Sequence, residues 1–407
     1  MTKFSRRLLL GSIAAAPLAR PGIIRAQSTS KPVKIGLLSD MGGPYRDVGG
    51  PGNRVAVELA VQDFGGSVLG RKIEIVQGDD QNKPDVAAGL AREWIDSQGV
   101  DVLMDGAASS AGLAIQQIAR EKKRIYLITG PASSDFTGKQ CSPYGIHFAY
   151  DTYALAHSTG GALTKAGGAT WYFITADYAF GYALERDTIA AVQAAGGKVL
   201  GTERAPLGTA DFSSYLVQAK ASGAKVLGLA NAGTDLQNCI KQAAEFGISQ
   251  SGVRMATLLM AINDVNSLGL NTCQGLVYTD SFYWDMTDQT RAWAKRWSAK
   301  MDGMVPGLLH AANYCAANHW LKSVKAAGTT DADTVVAKMK ATPINDFYNT
   351  NVKIREDGRV MHVMYLWQVK TPAESKYKYD YCKNLATISP ADAWRPLSEG
   401  GCPLVKA

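Results

Sequence analysis

Residues Asp105 to Gly112 read DGAASSAG, a cluster of small and hydroxyl side chains between an apolar run, Val102-Leu103-Met104, and a helical pattern from Leu113 to Ala119. The spacing predicts a strand, a tight glycine turn and a helix start, with Ser109 or Ser110 at the N-cap. Such a turn gathers free backbone N–H groups, a hydroxyl and the positive end of the helix dipole at one point. An anion, most simply a carboxylate, is held there without a charged side chain. A Ser-Ser pair more commonly does no more than cap its own helix. A second hydroxyl-rich turn one strand later, Gly130-Pro131-Ala132-Ser133-Ser134, favours the binding reading. Adjacent parallel strands put both turns on one sheet edge, where open α/β sheets take ligands.

Other chemistries find less support. Ala108 to Gly112 is one residue away from G-x-S-x-G, so a serine hydrolase using Ser110 has to be weighed. That mechanism needs an acid and a histidine after the serine, and none of His147, His157, His310, His319 or His362 sits in a distinctive context. The Gly42–Gly52 loop fits neither the P-loop nor a clean dinucleotide fingerprint, and no metal-ligand spacing occurs, so no cofactor or metal is expected. Asp79-Asp80 reads as a strand-end pair capping nearby backbone amides. Aromatic residues are more telling: Tyr45, Tyr178, Phe180, Phe282, Tyr283 and Trp284 all fall at strand ends or in the loops after them. Together they could line an apolar cleft, whereas Trp171, Tyr172 and Phe173 lie within a strand and read as core.

These residues are positioned by an alternation of strands and helices that begins at Lys34. Strands are predicted at Lys34–Leu38, Lys72–Val76, Asp101–Met104 and Ile125–Thr129, as continuous apolar runs typical of a parallel sheet covered on both faces. Near Tyr150 the series restarts, with strands at Trp171–Thr175, Lys198–Leu200, Lys225–Ala230, Met255–Met260 and Gly275–Thr279. Two similar halves imply two Rossmann-like lobes with a cleft between them. Beyond Tyr283 the pattern is helical, then two short strands follow around an Asp357-Gly358 turn, and the tail from Thr371 reads as mostly irregular.

Residues 1–26 read as an export signal: a twin-arginine motif, Ser5-Arg6-Arg7-Leu8-Leu9-Leu10, an apolar stretch and a cleavage site after Ala26. Five basic residues and no acid lie in it, so about +2 of the formal +7 belongs to the rest of the chain. No block of like charge remains to bind nucleic acid. No further long apolar run and no cysteine at the processing site point to a membrane anchor. The six cysteines lack C-x-x-C spacing, and Cys382 with Cys402, both in the loop-rich tail, is the expected disulfide.

Several segments in this order and spacing resemble the branched-chain amino-acid-type substrate-binding proteins of bacterial ABC transporters, which have the type I periplasmic binding fold. They are KIGLLSDMGGPY, NRVAVELAVQDFGG, GRKIEIVQGDDQNKPDVAAGLAREWI, DGAASSAGLAIQQIAREKK, ITADYAFGYALERD and KVLGLANAGTDLQNCIKQAAEFG, and the resemblance runs from about Val33 to about Val369. It implies an α/β fold of two lobes, 32–150 plus 283–362 and 151–282 plus 363–395, joined by a three-crossover hinge, with a tail at 396–407. It implies a non-enzymatic periplasmic protein, expected to be a monomer, that closes over a small ligand and presents it to a membrane permease. Carried over by position, the ligand contacts are Ser109, Ser110, Ser133, Ser134, Tyr178, Phe180 and Asn231 to Gly233. Amino-acid-binding members place an acid after a second-lobe strand to pair with the ligand's ammonium; here that position falls on Ile262 or Asn263, and Asp264 is the candidate contact if the register shifts by a residue or two, although it also reads as a helix cap. A buried ammonium without a carboxylate is costly, so the expected ligand is an aromatic or other organic acid, with Tyr45 and Arg46 near the mouth. An apolar amino acid is the alternative.

Overall fold

A computed structural model of the protein describes residues 31–405, so the expected export signal lies outside the described residues. The first sheet contains β1 (Val33–Ser39), β2 (Ser67–Val68), β3 (Arg71–Asp79), β4 (Val102–Asp105), β5 (Ile125–Ile128) and β6 (Gly145–His147) in the order β2-β3-β1-β4-β5-β6. All neighbours pair in parallel except the short β2, an antiparallel edge on β3. Val33, Ile35, Leu37 and Leu38 of β1 and all of Ile125–Ile128 are buried, as a sheet covered on both faces demands.

The second sheet repeats the plan with β7 (Thr170–Ala176), β8 (Lys198–Ala205), β9 (Val226–Ala230) and β10 (Arg254–Thr257), all parallel, in the order β10-β9-β7-β8. In each sheet the winding direction reverses beside the first strand, between β1 and β4 and again between β7 and β9. Ligand crevices in open α/β sheets lie outside the carboxyl ends of strands at such points. A third sheet, β11 (Val277–Asp280), β12 (Met364–Val369) and β13 (Cys382–Ile388), is antiparallel.

Between β11 and β12 the chain returns to the first sheet's side, where the long buried helix Leu308–Ala327 packs on the Gly50–Phe64 helix. The chain therefore crosses between the two bodies after β6, after β11 and before β12. The expected turn at Asp357-Gly358 closes an Ile354–Val360 bridge, with Gly358 at φ +90°.

Two expectations for the tail are corrected. Residues 382–388 form β13 rather than irregular chain, because its backbone completes the ladder of β12. The disulfide joins Cys141 to Cys402, not Cys382 to Cys402. Cys382 instead is buried at the start of β13, 3.3 Å from the Tyr278 hydroxyl, and is held there by strand pairing.

Candidate functional site

The carboxyl ends of both switch-point strand pairs face one another across a cleft. From the first body come Tyr45 and Val48 of the loop after β1, Ala107 and Ser109 of the turn after β4, and Gly130 and Ala132 after β5. From the second come Tyr178 and Phe180 after β7, Ala232 and Gly233 after β9, Leu259, Ala261, Asn263 and Asp264 after β10, and Asp280 at the end of β11. Tyr150, in the segment crossing between the bodies, and Gly307 to Leu309, at the start of the long helix, complete the wall.

The loop after β1 is shaped by Asp40, whose carboxylate accepts the N–H groups of Gly42, Gly43 and Tyr45 and the Asn82 amide. That fold delivers Tyr45 across the cleft, where its hydroxyl bonds that of Tyr178. Beside it, Thr234 N–H donates to the Pro44 carbonyl at 3.1 Å. Gly233 permits this approach. It sits at φ +60°, and a Cβ there would lie 2.3 Å from the Pro44 oxygen.

The DGAASSAG turn forms as strand, turn and helix, but neither serine is the N-cap. Ala108 takes that place and Ser109 is the first helical residue. The Ser109 hydroxyl instead accepts the N–H groups of Ala132 (3.2 Å) and Ser133 (3.1 Å), tying the two small-residue turns together. Its proton remains available to an acceptor in the cleft, next to the first-turn N–H groups that a helix leaves without internal partners. Asp105 enters this turn at φ +72°, buried, with its carboxylate taking Ser39 Oγ at 2.6 Å and Asn53 Nδ2 at 2.7 Å. Burial, with the charges of Asp80 and Asp40 nearby, raises its pKa to about 7.

The second body's wall carries acids. Asp264 accepts Ala261 N–H and Gln237 Nε2, each at 2.8 Å, and burial raises its pKa to about 6. Asp280 is 4% exposed, accepts Ser281 N–H at 2.7 Å, and is pushed well above the usual carboxylate range by burial. No lysine, arginine or histidine lines the cleft among the described residues. Asp264, the acid the sequence offered for this wall if the register shifts by a residue or two, lines the cleft, and so does Asp280, which sequence reading passed over. Tyr150, also passed over as a contact, was marked only by lying at the break between the two strand–helix series.

Other expected contacts lie elsewhere. Arg46 turns outward onto Asp47 at 2.8 Å, with more than half its side chain exposed. Ser110 does not reach the cleft wall. Ser133 caps the turn Ser134–Thr137 through Asp135 N–H, and Ser134 Oγ bonds Asp187 at 2.7 Å. Asn231 is buried behind the wall. Of the aromatic set, Tyr45, Tyr178 and Phe180 reach the cleft. Phe282 instead packs edge-on against Trp293, Phe347 and Tyr348, while Tyr283 packs on Trp367 and both its hydroxyl and the Trp284 indole donate to Tyr379 O.

Among the described residues no histidine is hydrogen-bonded to Ser110. His147 Nε2 is at the Pro131 carbonyl, His319 Nε2 at that of Met339, and His362 lies between Asn349 and the Phe148 carbonyl. His310 accepts Gly307 N–H, and His157 stacks on Tyr153.

Known proteins share this architecture. A periplasmic binding protein from Burkholderia mallei is 51% identical with a TM-score of 0.90, covering 92% of this chain and 99% of that one. A branched chain amino acid ABC transporter periplasmic ligand-binding protein from Burkholderia xenovorans is 39% identical with a TM-score of 0.80, covering 91% and 99%. A Leu/Ile/Val-binding protein homolog from Brucella melitensis is 25% identical over 263 residues, 64% of this chain and 67% of that protein. The periplasmic binding protein family model matches residues 32–376, and the chain belongs to that family as a substrate-binding protein of the ABC-transporter type.

Proposed function

We propose that the cleft captures an apolar amino acid and that the closed protein delivers it to a membrane permease. The observation that carries this reading is the pair of buried acids, Asp264 and Asp280, on a wall with no cation among the described residues. Each loses hydration on burial with no charge to offset it, and a ligand ammonium supplies that charge. Opposite them, the Ser109 hydroxyl and the first-turn N–H groups suit a carboxylate. Zwitterion polarity thus runs from the first body to the second, and Tyr45, Tyr178, Phe180, Leu308 and Leu309 offer apolar contact to the side chain. The 39%-identical relative, a branched chain amino acid ABC transporter periplasmic ligand-binding protein, supports the same class.

An aromatic acid is the second reading, supported by the tyrosine and phenylalanine rings around the cleft. It would have to keep both acids protonated. Calorimetry with leucine, isoleucine, valine and phenylalanine against benzoate and phenylacetate separates the two. Heat from amino acids alone is the expected result; heat from the acids alone overturns the first reading in favour of the second.

A further inference from the structure

After β13 the chain leaves the second body and returns to the first, a fourth passage in addition to the three crossings. Trp394, 2% exposed, donates its indole N–H to the His362 carbonyl at 2.8 Å and lies face-on beneath the guanidinium of Arg359, 4.1 Å from the ring centre. Arg359 is fully buried and donates to the carbonyls of His147 and Ala149, in the segment that crosses between the bodies. The next residue, Arg395, donates to Ser134 Oγ at 2.6 Å on the first body and to Asp187 Oδ1 at 3.3 Å on the second. Asp187 also accepts Ser134 Oγ and Thr152 Oγ1, each at 2.7 Å. Cys402 then closes the passage covalently on Cys141.

From this we infer that residues 389–402 form a disulfide-locked strap across the hinge, which limits opening of the cleft and enriches the closed form before ligand arrives. The stretch between β13 and Cys402 is long enough to span on the order of 40 Å if pulled straight, so the disulfide alone restrains little. Restraint comes from Trp394 and Arg395 remaining seated, and the disulfide holds the strap's far end so that they do. Separating the bodies stretches the Arg395 link between Ser134 and Asp187. Releasing the strap makes that separation easier and shifts the population towards open.

Thr234 N–H reports the closed population without any ligand. It is in the first turn of its helix, where no intrahelical acceptor exists, and its partner is Pro44 O across the cleft. Hydrogen exchange of the peptide containing Thr234 is followed in ligand-free protein, native, reduced, and as Cys402→Ser. Exchange is expected to speed up roughly five- to tenfold on reduction and in Cys402→Ser, in the range of ordinary coupling between sites, with β1 amides unchanged. Unchanged Thr234 exchange with β1 still protected overturns the inference. If Cys402→Ser and the reduced protein lose β1 protection, Arg395→Gln, which keeps the disulfide, decides: faster Thr234 exchange supports the strap and native exchange overturns it.

Discussion

The two walls of the cleft are built from the same unit, a strand ending in a small-residue turn before a helix, yet they differ in kind. The first body's wall presents neutral groups: the Ser109 hydroxyl and backbone N–H donors. The second body's wall carries Asp264 and Asp280, with no lysine, arginine or histidine beside them on the wall among the described residues. A neutral donor site is ready for a carboxylate at little electrostatic cost, whereas a buried uncompensated acid weakens the folded state until a cation arrives. Ligand affinity and ligand-free stability are thus expected to draw on different walls.

The largest expected effect breaks the acidic side. Asp280→Asn, and separately Asp264→Asn, should weaken amino-acid binding by about 2–5 kcal/mol, roughly 30-fold or more, as truncation of a buried charge pair does. Asp280→Asn should at the same time raise the melting temperature of ligand-free protein at neutral pH, since it removes the cost of burying, or neutralising, an acid that ionises freely when unfolded. Asp264→Asn should gain less, because it also weakens the bond from Ala261 N–H. Lost affinity with gained stability is the signature to look for by calorimetry and thermal melts. Loss of both would mean these acids hold the fold rather than the ligand.

The neutral side comes next. Ser109→Ala should reduce affinity for a carboxylate ligand by about 1.5–3 kcal/mol, on the order of 10- to 100-fold, the range for hydrogen bonds to charged groups. It should also lower stability, because Ala132 and Ser133 lose their acceptor. Ser110→Ala, one position along and off the wall, should leave affinity unchanged. If both substitutions act alike, the turn does not select Ser109.

These contrasts also show what was legible in the sequence. Strand–turn–helix units are local, so the DGAASSAG turn, the second hydroxyl-rich turn and the doubling of the series could be read from neighbouring residues. Sheet partners distant in the chain could not. Asp280 ends an ordinary-looking strand whose neighbour, β12, begins only at Met364. Tyr45 and Phe282 look alike as strand-end aromatics. One is swung across the cleft by the Asp40 loop, while the other is packed away by Trp293 and Phe347. Which residues face a ligand is decided by packing between elements far apart in sequence, and the Cys141–Cys402 pairing has the same origin.

Acidity sharpens the comparison further. With its folded pKa raised to about 6, Asp264 binds its proton more tightly in the native than in the unfolded state. Between about pH 4 and 6 the native state therefore holds the extra proton, and this group's contribution to stability is lost as pH rises through that window. Ammonium binding runs the other way, because it requires the ionised form. Affinity for an amino acid should fall about tenfold per pH unit below 6 for one coupled proton, whereas an aromatic acid, which needs the protonated wall, should bind better there. Calorimetry at pH 5 and pH 7 reads the sign directly, and tighter leucine binding at pH 5 would refute the ammonium assignment.

The smallest expected effect is at the mouth, where the walls touch. Tyr45 and Tyr178 share a hydroxyl–hydroxyl bond across the cleft, and burial raises both phenols above their ordinary value, so neither ionises at neutral pH. Tyr178→Phe removes that bond but keeps the ring beside Phe180. A neutral hydrogen bond is worth about 0.5–1.5 kcal/mol net, so affinity should weaken roughly two- to tenfold. The loss should appear in the dissociation rate, because the bond exists only after closure and its absence lets the cleft reopen sooner. Stopped-flow kinetics separates this from a damaged pocket: a slower association rate with unchanged dissociation would mean that Tyr178 guides entry instead of holding the cleft shut.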